Sequence, residues 1–463
     1  MKWRPLAVVS LVAGFLVLIA FAVSDVKQAK HKSQFLGSAE ANSQEMVSEG
    51  RNTFRFDTFG DEAFWGGQLH LHQAINTLTP RNALGLGLKV DSEALPPAVL
   101  EALKHGKVNL DDPAVTRLLI QQNAVLGVVG FFNNNGTLKS VGLTCAICHS
   151  TVDNSVAPGV GKRIDGVANR DLNVGAITAA APNLQPVVDL LRLAPADAGI
   201  TATDVRSVLN SWGPGKFDAE LFLDGKAFNP QQTTNGVVTG TNVSGATLLP
   251  NARGLAGHNL HTWTGGWGTV TYWNAFVAVN ELHGIGTFFD ERFDNATQFP
   301  IAAAAHLGHV STDPDSDRVT GKLAALQFYQ LSLPAVQPRP GIDFNVAAAK
   351  RGDELFSGKA NCNSCHREPL WSDPGWNQHS ADEMRIDSFE ADRAPGLAYQ
   401  TMNLAGIFVR ERGLFMFPQN KGRFYHDGRF QTLLDTVNSY NDRFSLGLSE
   451  QEKHDLVEYL KSL

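Results

Sequence analysis

A mainly α fold is predicted for this 463-residue chain by three observations. Apolar residues keep helical spacing through several segments, and no stretch reads as a run of alternating strands. The last fifteen residues open on a capping box and continue as an amphipathic helix. All four cysteines fall in two copies of one pattern, Cys145-Ala146-Ile147-Cys148-His149 and Cys362-Asn363-Ser364-Cys365-His366. C-x-x-C-H is the attachment signature of c-type haem. The two thiols add to vinyl groups on one porphyrin, and the adjacent histidine is placed to ligate its iron. A redox dithiol does not require that histidine, and a four-thiolate zinc site would need two distant half-sites to meet. The expected fold is therefore mainly α, with two cytochrome c-like haem domains and long loops. The expected cofactors are two covalently bound haem c groups.

The elements follow in order. Lys2 and Arg4 precede an uncharged apolar run from Leu6 to Val23, which Asp25, Lys27 and Lys30 end. Residues 1–23 read as a signal peptide, with Ala20-Phe21-Ala22 as its small-x-small cleavage site, or as an inner-membrane anchor of about 20 residues. Haem c is attached outside the cytoplasm in bacteria, so a periplasmic location is expected, soluble or anchored by residues 6–23. A formal net charge of −7 with no basic stripe excludes a nucleic-acid binder.

Residues 24–52 are polar and aperiodic and read as a flexible tether, ahead of an N-terminal haem domain with inserted loops at 53–333. Within that domain, Pro96-Pro97 opens a short helix that Gly106 closes. Asp112-Pro113 starts another, whose apolar spacing runs from Val115 to Val129 toward the first motif. Two short amphipathic stretches, Pro186–Leu193 and Thr203–Trp212, lead into Gly-, Asn- and Thr-rich sequence ending near Asn251, read as a long surface loop. Trp263–Phe289 is dense in aromatics and is expected to wall a haem pocket. Pro334–Pro340 marks a linker, taken as 334–345. The C-terminal domain, 346–463, has a helix from Ala347 to Phe356 leading into Cys362. It closes on a helix that Ser449 and Glu452 cap, with Leu456, Leu460 and Leu463 on one face.

At Arg393-Ala394-Pro395, then Phe424-Tyr425-His426-Asp427-Gly428 followed by Thr432-Leu433, the chain resembles the C-terminal domain of bacterial dihaem cytochrome c peroxidases and their relative that matures methylamine dehydrogenase. The resemblance is specific from about Val346 to Leu463 and weaker before Pro334. It implies that electrons arrive at the C-terminal haem, from a small periplasmic carrier such as a cytochrome c or a copper protein. They are then used at the N-terminal haem on hydrogen peroxide or another small oxidant. It also implies Tyr440 as the distal ligand of the second haem, because the position matches the family's methionine or tyrosine ligand. Met402, Met416 and His426 remain alternatives. The family's interdomain calcium would draw on Asp224 or the acidic loop Asp313–Asp317. One departure stands out. No tryptophan lies between His149 and Trp212, where the family places its inter-haem tryptophan, so Trp263, Trp267 or Trp273 would have to serve.

For the first haem, His72 is the preferred sixth ligand, since Leu69 and Ile75 put it on an apolar helix face. His258, His261 and His283 compete. Peroxide cleavage needs an acid/base group beside the iron, and Glu281 with His283 is the best local pair. Arg163, Asp165, Arg170 and Asp171 could bind haem propionates or lie in surface turns. The alternative to a peroxidase-like oxidoreductase is a dihaem electron-transfer protein with both irons six-coordinate.

Overall fold

The computed structural model describes residues 37–194 and 198–463. The signal or anchor segment 1–23 and the first part of the tether, 24–36, lie outside the described residues. Helices dominate, and among the described residues every sheet has only two strands.

The tether expected at 24–52 is corrected over its second half, because residues 37–56 form one helix. Ala, Glu and Met favour helix there, and Phe54, fully buried, anchors it edge-on to Tyr329 with ring centroids 5.6 Å apart. Gly50 makes the close crossing possible. A Cβ at that position would stand 1.9 Å from the carbonyl oxygen of Ala325, on the helix Leu323–Ser332.

The helix expected to run from Val115 to Val129 is also shorter than its apolar spacing suggests. It spans Pro113–Gln121, capped by Asp112, and Asn123 and Gly127 then adopt positive φ. Val128–Phe132 continues as a strand paired antiparallel with Leu138–Leu143. β-branched and aromatic side chains favour the pleated arrangement. A β-hairpin, not a helix, therefore delivers the chain to Cys145. The Thr- and Gly-rich segment holds a second hairpin, Gln232–Thr234 with Val237–Gly240, turned by Asn235 and Gly236, both at positive φ. Asn-Gly is the standard signal for such a turn.

The C-terminal helices lie where the sequence predicts them. Val346–Ser357 crosses Glu450–Lys461 so closely that a Cβ on Gly352 would meet the Asp455 carbonyl oxygen at 2.1 Å. Arg351 ties the crossing with a 2.6 Å ion pair to Asp455. Capping boxes at Thr432/Asp435 and Ser449/Glu452 start the last two helices. The largest apolar cluster draws on buried residues between Phe54 and Tyr329, and three smaller ones on residues between Phe356 and Tyr459. No helix of the described residues is long and apolar enough to cross a membrane.

Candidate functional site

The first C-x-x-C-H motif opens onto a cavity that is partly open to solvent. Cys145, Cys148 and His149 line it together with Trp263, Trp267, Trp273, Glu220, Glu281 and Glu390. The helical turn Ala146–His149 holds the motif, and His149 is fixed by a distant partner. Its Nδ1 lies 3.1 Å from the carbonyl oxygen of Pro250, so Nδ1 carries the hydrogen and Nε2 keeps a free lone pair. Burial, with the charge of Arg170 adding to it, lowers the imidazole to about 4, which keeps it neutral and able to ligate a metal. Burial pushes the Cys145 thiol up to about 12 and the Cys148 thiol higher still.

The aromatic segment walls this cavity as its composition predicts. The helix Val270–Phe276 runs into a widened π-helical turn, Val277–Glu281, which carries Glu281 to the wall. His283, two residues on, is not brought with it. It turns away at φ 61° and stacks on Phe64, with ring centroids 3.7 Å apart. The acid/base pair read from the sequence is thus split, with only Glu281 at the cavity. His72 is likewise not at the cavity. It lies on the helix Leu71–Asn76, with His70 edge-on at 6.1 Å. Among the described residues His149 is the only histidine in the cavity wall, and no methionine or tyrosine joins it.

The second motif is built more locally. Cys362–Ser364 forms a tight turn, and His366 Nδ1 lies 3.0 Å from the carbonyl oxygen of Trp371, five residues on. Burial raises Cys362 to about 12 and lowers His366. Tyr440 stands on the helix Leu433–Phe444 beneath the Arg443 guanidinium, 4.3 Å from its ring centre. It is close enough to Cys362 and Tyr425 that both, after burial, bear on its phenol, which is raised. The other candidates are placed differently. Met402 accepts a 3.3 Å contact from Gln400 at its sulfur, Met416 packs with Phe408 and Val409, and His426 stacks on Tyr399.

A haem carries two propionates as well as its vinyl groups, so a haem site needs cations. Arg170, whose charge acts on His149, with Arg410 and Arg423 beside it would supply them. All three are lowered by burial first and by one another's charge where they face, except that Asp171 opposes this at Arg423. Arg170 Nη1 and Arg423 Nε are buried with no hydrogen-bond partner. Such orphaned guanidinium nitrogens fit an anionic group seated beside His149. Of the other sequence candidates, Asp171 is bound by Lys89 at 2.5 Å and by the 417–420 segment through Phe417 N and Asn420 Nδ2. Arg163 pairs with Asp91, and Asp165 with Arg55.

The calcium expectation is corrected at Asp224. Its carboxylate and that of Asp218 grip the fully buried Arg393, at 3.0 and 2.8 Å, so a guanidinium supplies the positive charge there. In the Asp313–Asp317 loop, Asp317 accepts from Val319 and Thr320 amides and serves as a turn cap. Arg393 of the R-x-P segment is therefore a structural brace between distant parts of the chain.

No family model matches the chain. A cytochrome-c peroxidase, IdrP1 of Denitromonas iodatirespirans, is 30% identical over 196 residues, which is 32% of this chain and 51% of that protein. The hydrazine synthase subunit gamma of Kuenenia stuttgartiensis is 32% identical over 147 residues, 25% of this chain and 41% of that protein. The chain thus spans about half the length of the curated relatives it matches. Among solved structures, xenon-pressurised Kuenenia stuttgartiensis hydrazine synthase overlaps 47% of this chain and 72% of its own, at 20% identity and a TM-score of 0.26. A MauG-like protein associated with microbial copper homeostasis overlaps 53% and 79%, at 18% identity and a TM-score of 0.29. The curated relatives support kinship with the cytochrome c peroxidase superfamily of haem oxidoreductases, at modest identity.

Proposed function

We propose that this chain is an exported dihaem c-type cytochrome and a peroxidase-like oxidoreductase. Haem c is attached at Cys145/Cys148 and at Cys362/Cys365, with His149 and His366 as the proximal ligands. Electrons arrive at the second haem from a small periplasmic carrier protein and are used at the first on hydrogen peroxide or a related small oxidant. The observation that carries this reading is the composition of the first cavity. It offers one histidine, carboxylic acids and indole walls, and no second strong iron ligand among the described residues.

When bound, the haem supplies the redox chemistry and an iron site for an oxygen ligand. The chain's own residues do the rest. Pro250 fixes the His149 ring through Nδ1. Trp65, Trp267 and Trp273 exclude water from the cavity, and Glu281 moves a proton there as general acid and base. Burial first, then Glu220, raises Glu281 to about 8, so it holds its proton at neutral pH. At the second site Tyr440 would hold the iron opposite His366, and Arg443 over its ring would favour the phenolate needed for that. Trp263, whose ring faces both the cavity and the Arg410 guanidinium at 6.0 Å, is the aromatic placed to relay electrons where the family's usual tryptophan is missing.

Electron paramagnetic resonance and optical spectra of the oxidised and half-reduced protein test this. A high-spin or cyanide-exchangeable first haem is expected. Two low-spin haems, inert to cyanide and peroxide in both states, would replace the reading with that of an electron carrier.

A further inference from the structure

Three glutamates reach the first cavity from segments far apart in the sequence. Glu220 comes from the turn ahead of Leu221–Asp224, Glu281 from the widened turn, and Glu390 from the helix Phe389–Arg393. Glu220 and Glu390 are each 3% exposed. Among the described residues no other side chain hydrogen-bonds to any of the three, and Glu220 bonds only its own backbone amide. A buried carboxylate needs a cation, and among the described residues Arg393 is the one that faces Glu220 and Glu390. Its donors are already committed. Nε binds Asp224, Nη1 binds Asp218 and the Gly245 carbonyl, and Nη2 binds both Asp218 and Asp224. Ionising Glu220 and Glu390 as well would set four negative charges around one guanidinium.

We propose that Glu220, Glu281 and Glu390 together form a store of the protons consumed when peroxide is reduced in the first cavity. The proposal rests on the peroxidase reading above and goes beyond it in assigning the source of both protons. Reduction breaks the O–O bond of H₂O₂. Two electrons come from the one-electron carrier protein by way of the second site, and two protons come from two of the three acids, so that two waters form. The two carboxylates left behind reload from solvent afterwards. A single acid would have to fetch its second proton through the walled cavity during the reaction. Three acids remove that dependence.

Burial is the main cause that raises each of the three, and the charge of Glu220 adds to it at Glu281 and Glu390. The charged and titratable groups facing them are Asp218 and Asp224, which raise Glu220 and Glu390, and Arg393, which lowers them. Cys148 and the Tyr399 hydroxyl also feel Glu281 and Glu390 respectively.

Infrared spectroscopy of the haem-loaded full chain tests the store without turnover. Carbonyl bands of protonated carboxyl groups, shifting in D₂O, are expected at neutral pH in the wild type. Glu220→Gln and Glu390→Gln should each remove one component. Stopped-flow mixing of the fully reduced protein with peroxide and a pH-indicator dye tests the use. Haem oxidation should precede proton uptake from solvent in the wild type and coincide with it in the double variant. Absence of the bands in the wild type, where no variant has to fold, overturns the store even if peroxide oxidises the haems. Simultaneous oxidation and uptake in the wild type overturns its use. Failure of peroxide to oxidise either haem overturns the peroxidase reading itself.

Discussion

The same five-residue pattern occurs twice in this chain, and the two copies are held by opposite means. At the first, the histidine is oriented by a carbonyl 101 residues away, the approach is a β-hairpin, and the cavity wall is gathered from residues between Trp65 and Glu390. At the second, the orienting carbonyl is five residues away and the approach is a helix that the last helix crosses. The first site is a product of the whole module, whereas the second is close to a local motif. Burial does not follow this division, since all four cysteines are half-buried.

Five measurements break or sharpen this contrast. The largest effect is expected from removing the attachment thiols. Cys145→Ala with Cys148→Ala, and Cys362→Ala with Cys365→Ala, should each leave one covalent haem by mass spectrometry. The melting temperature should fall further for the first pair, because wall segments from Trp65 to Glu390 lose the group they pack around. An equal fall would erase the distinction between the sites. Next, Gly352→Ala forces a Cβ against the Asp455 carbonyl. Overpacking of this kind costs about 1–3 kcal/mol, and denaturation should show it in the second haem's spectrum before the first.

The third measurement concerns pH. Glu281 rises from 4.5 to about 8 on folding, so its stabilising contribution is full below its unfolded value and is lost as pH rises through 8. Glu281→Gln should flatten that decline in a urea-denaturation series across this window, and an unchanged slope would mean Glu281 ionises freely. Fourth, Tyr440→Phe should raise the potential of the second haem and alter its ferric spectrum while leaving the first nearly unchanged, since phenolate donation favours ferric iron. No change would reduce Tyr440 to a packing residue. The smallest effect is expected from Ser449→Ala, which removes an N-cap worth about 1 kcal/mol and should be felt at the second site only.

What the sequence reveals follows the same line. The helices Val346–Ser357 and Glu450–Lys461 were legible because caps and apolar spacing are local signals. The two C-x-x-C-H patterns and the aromatic wall of the first cavity are legible for the same reason. The strand Val128–Phe132 was not, since five apolar residues fit helical and extended spacing alike. The helix 37–56 was missed because its main contact is a glycine, Gly50, which looks like a breaker until the surface it meets is known. The hairpin at Asn235-Gly236 carried a usable signal that was read only as loop. His72 rests on apolar helix neighbours and His283 on adjacency to Glu281, and neither signal says which cavity a side chain faces. Glu220 and Glu390 gave no local signal at all, because each acquires meaning only beside the other. The same holds for Arg170, Arg410 and Arg423.

Arg393 has a consequence for protein engineering. Helix count and the proline-rich stretch after Leu333 invite excision of residues 346–463 as a free-standing cytochrome. Cut there, the fragment would keep a guanidinium at its heart and leave Asp218 and Asp224 on the discarded half. Neither piece would be electrically whole. A transplantable version would need Arg393 replaced by an apolar side chain of similar volume, and any lineage that joined such modules by gene fusion would find the bond hard to undo.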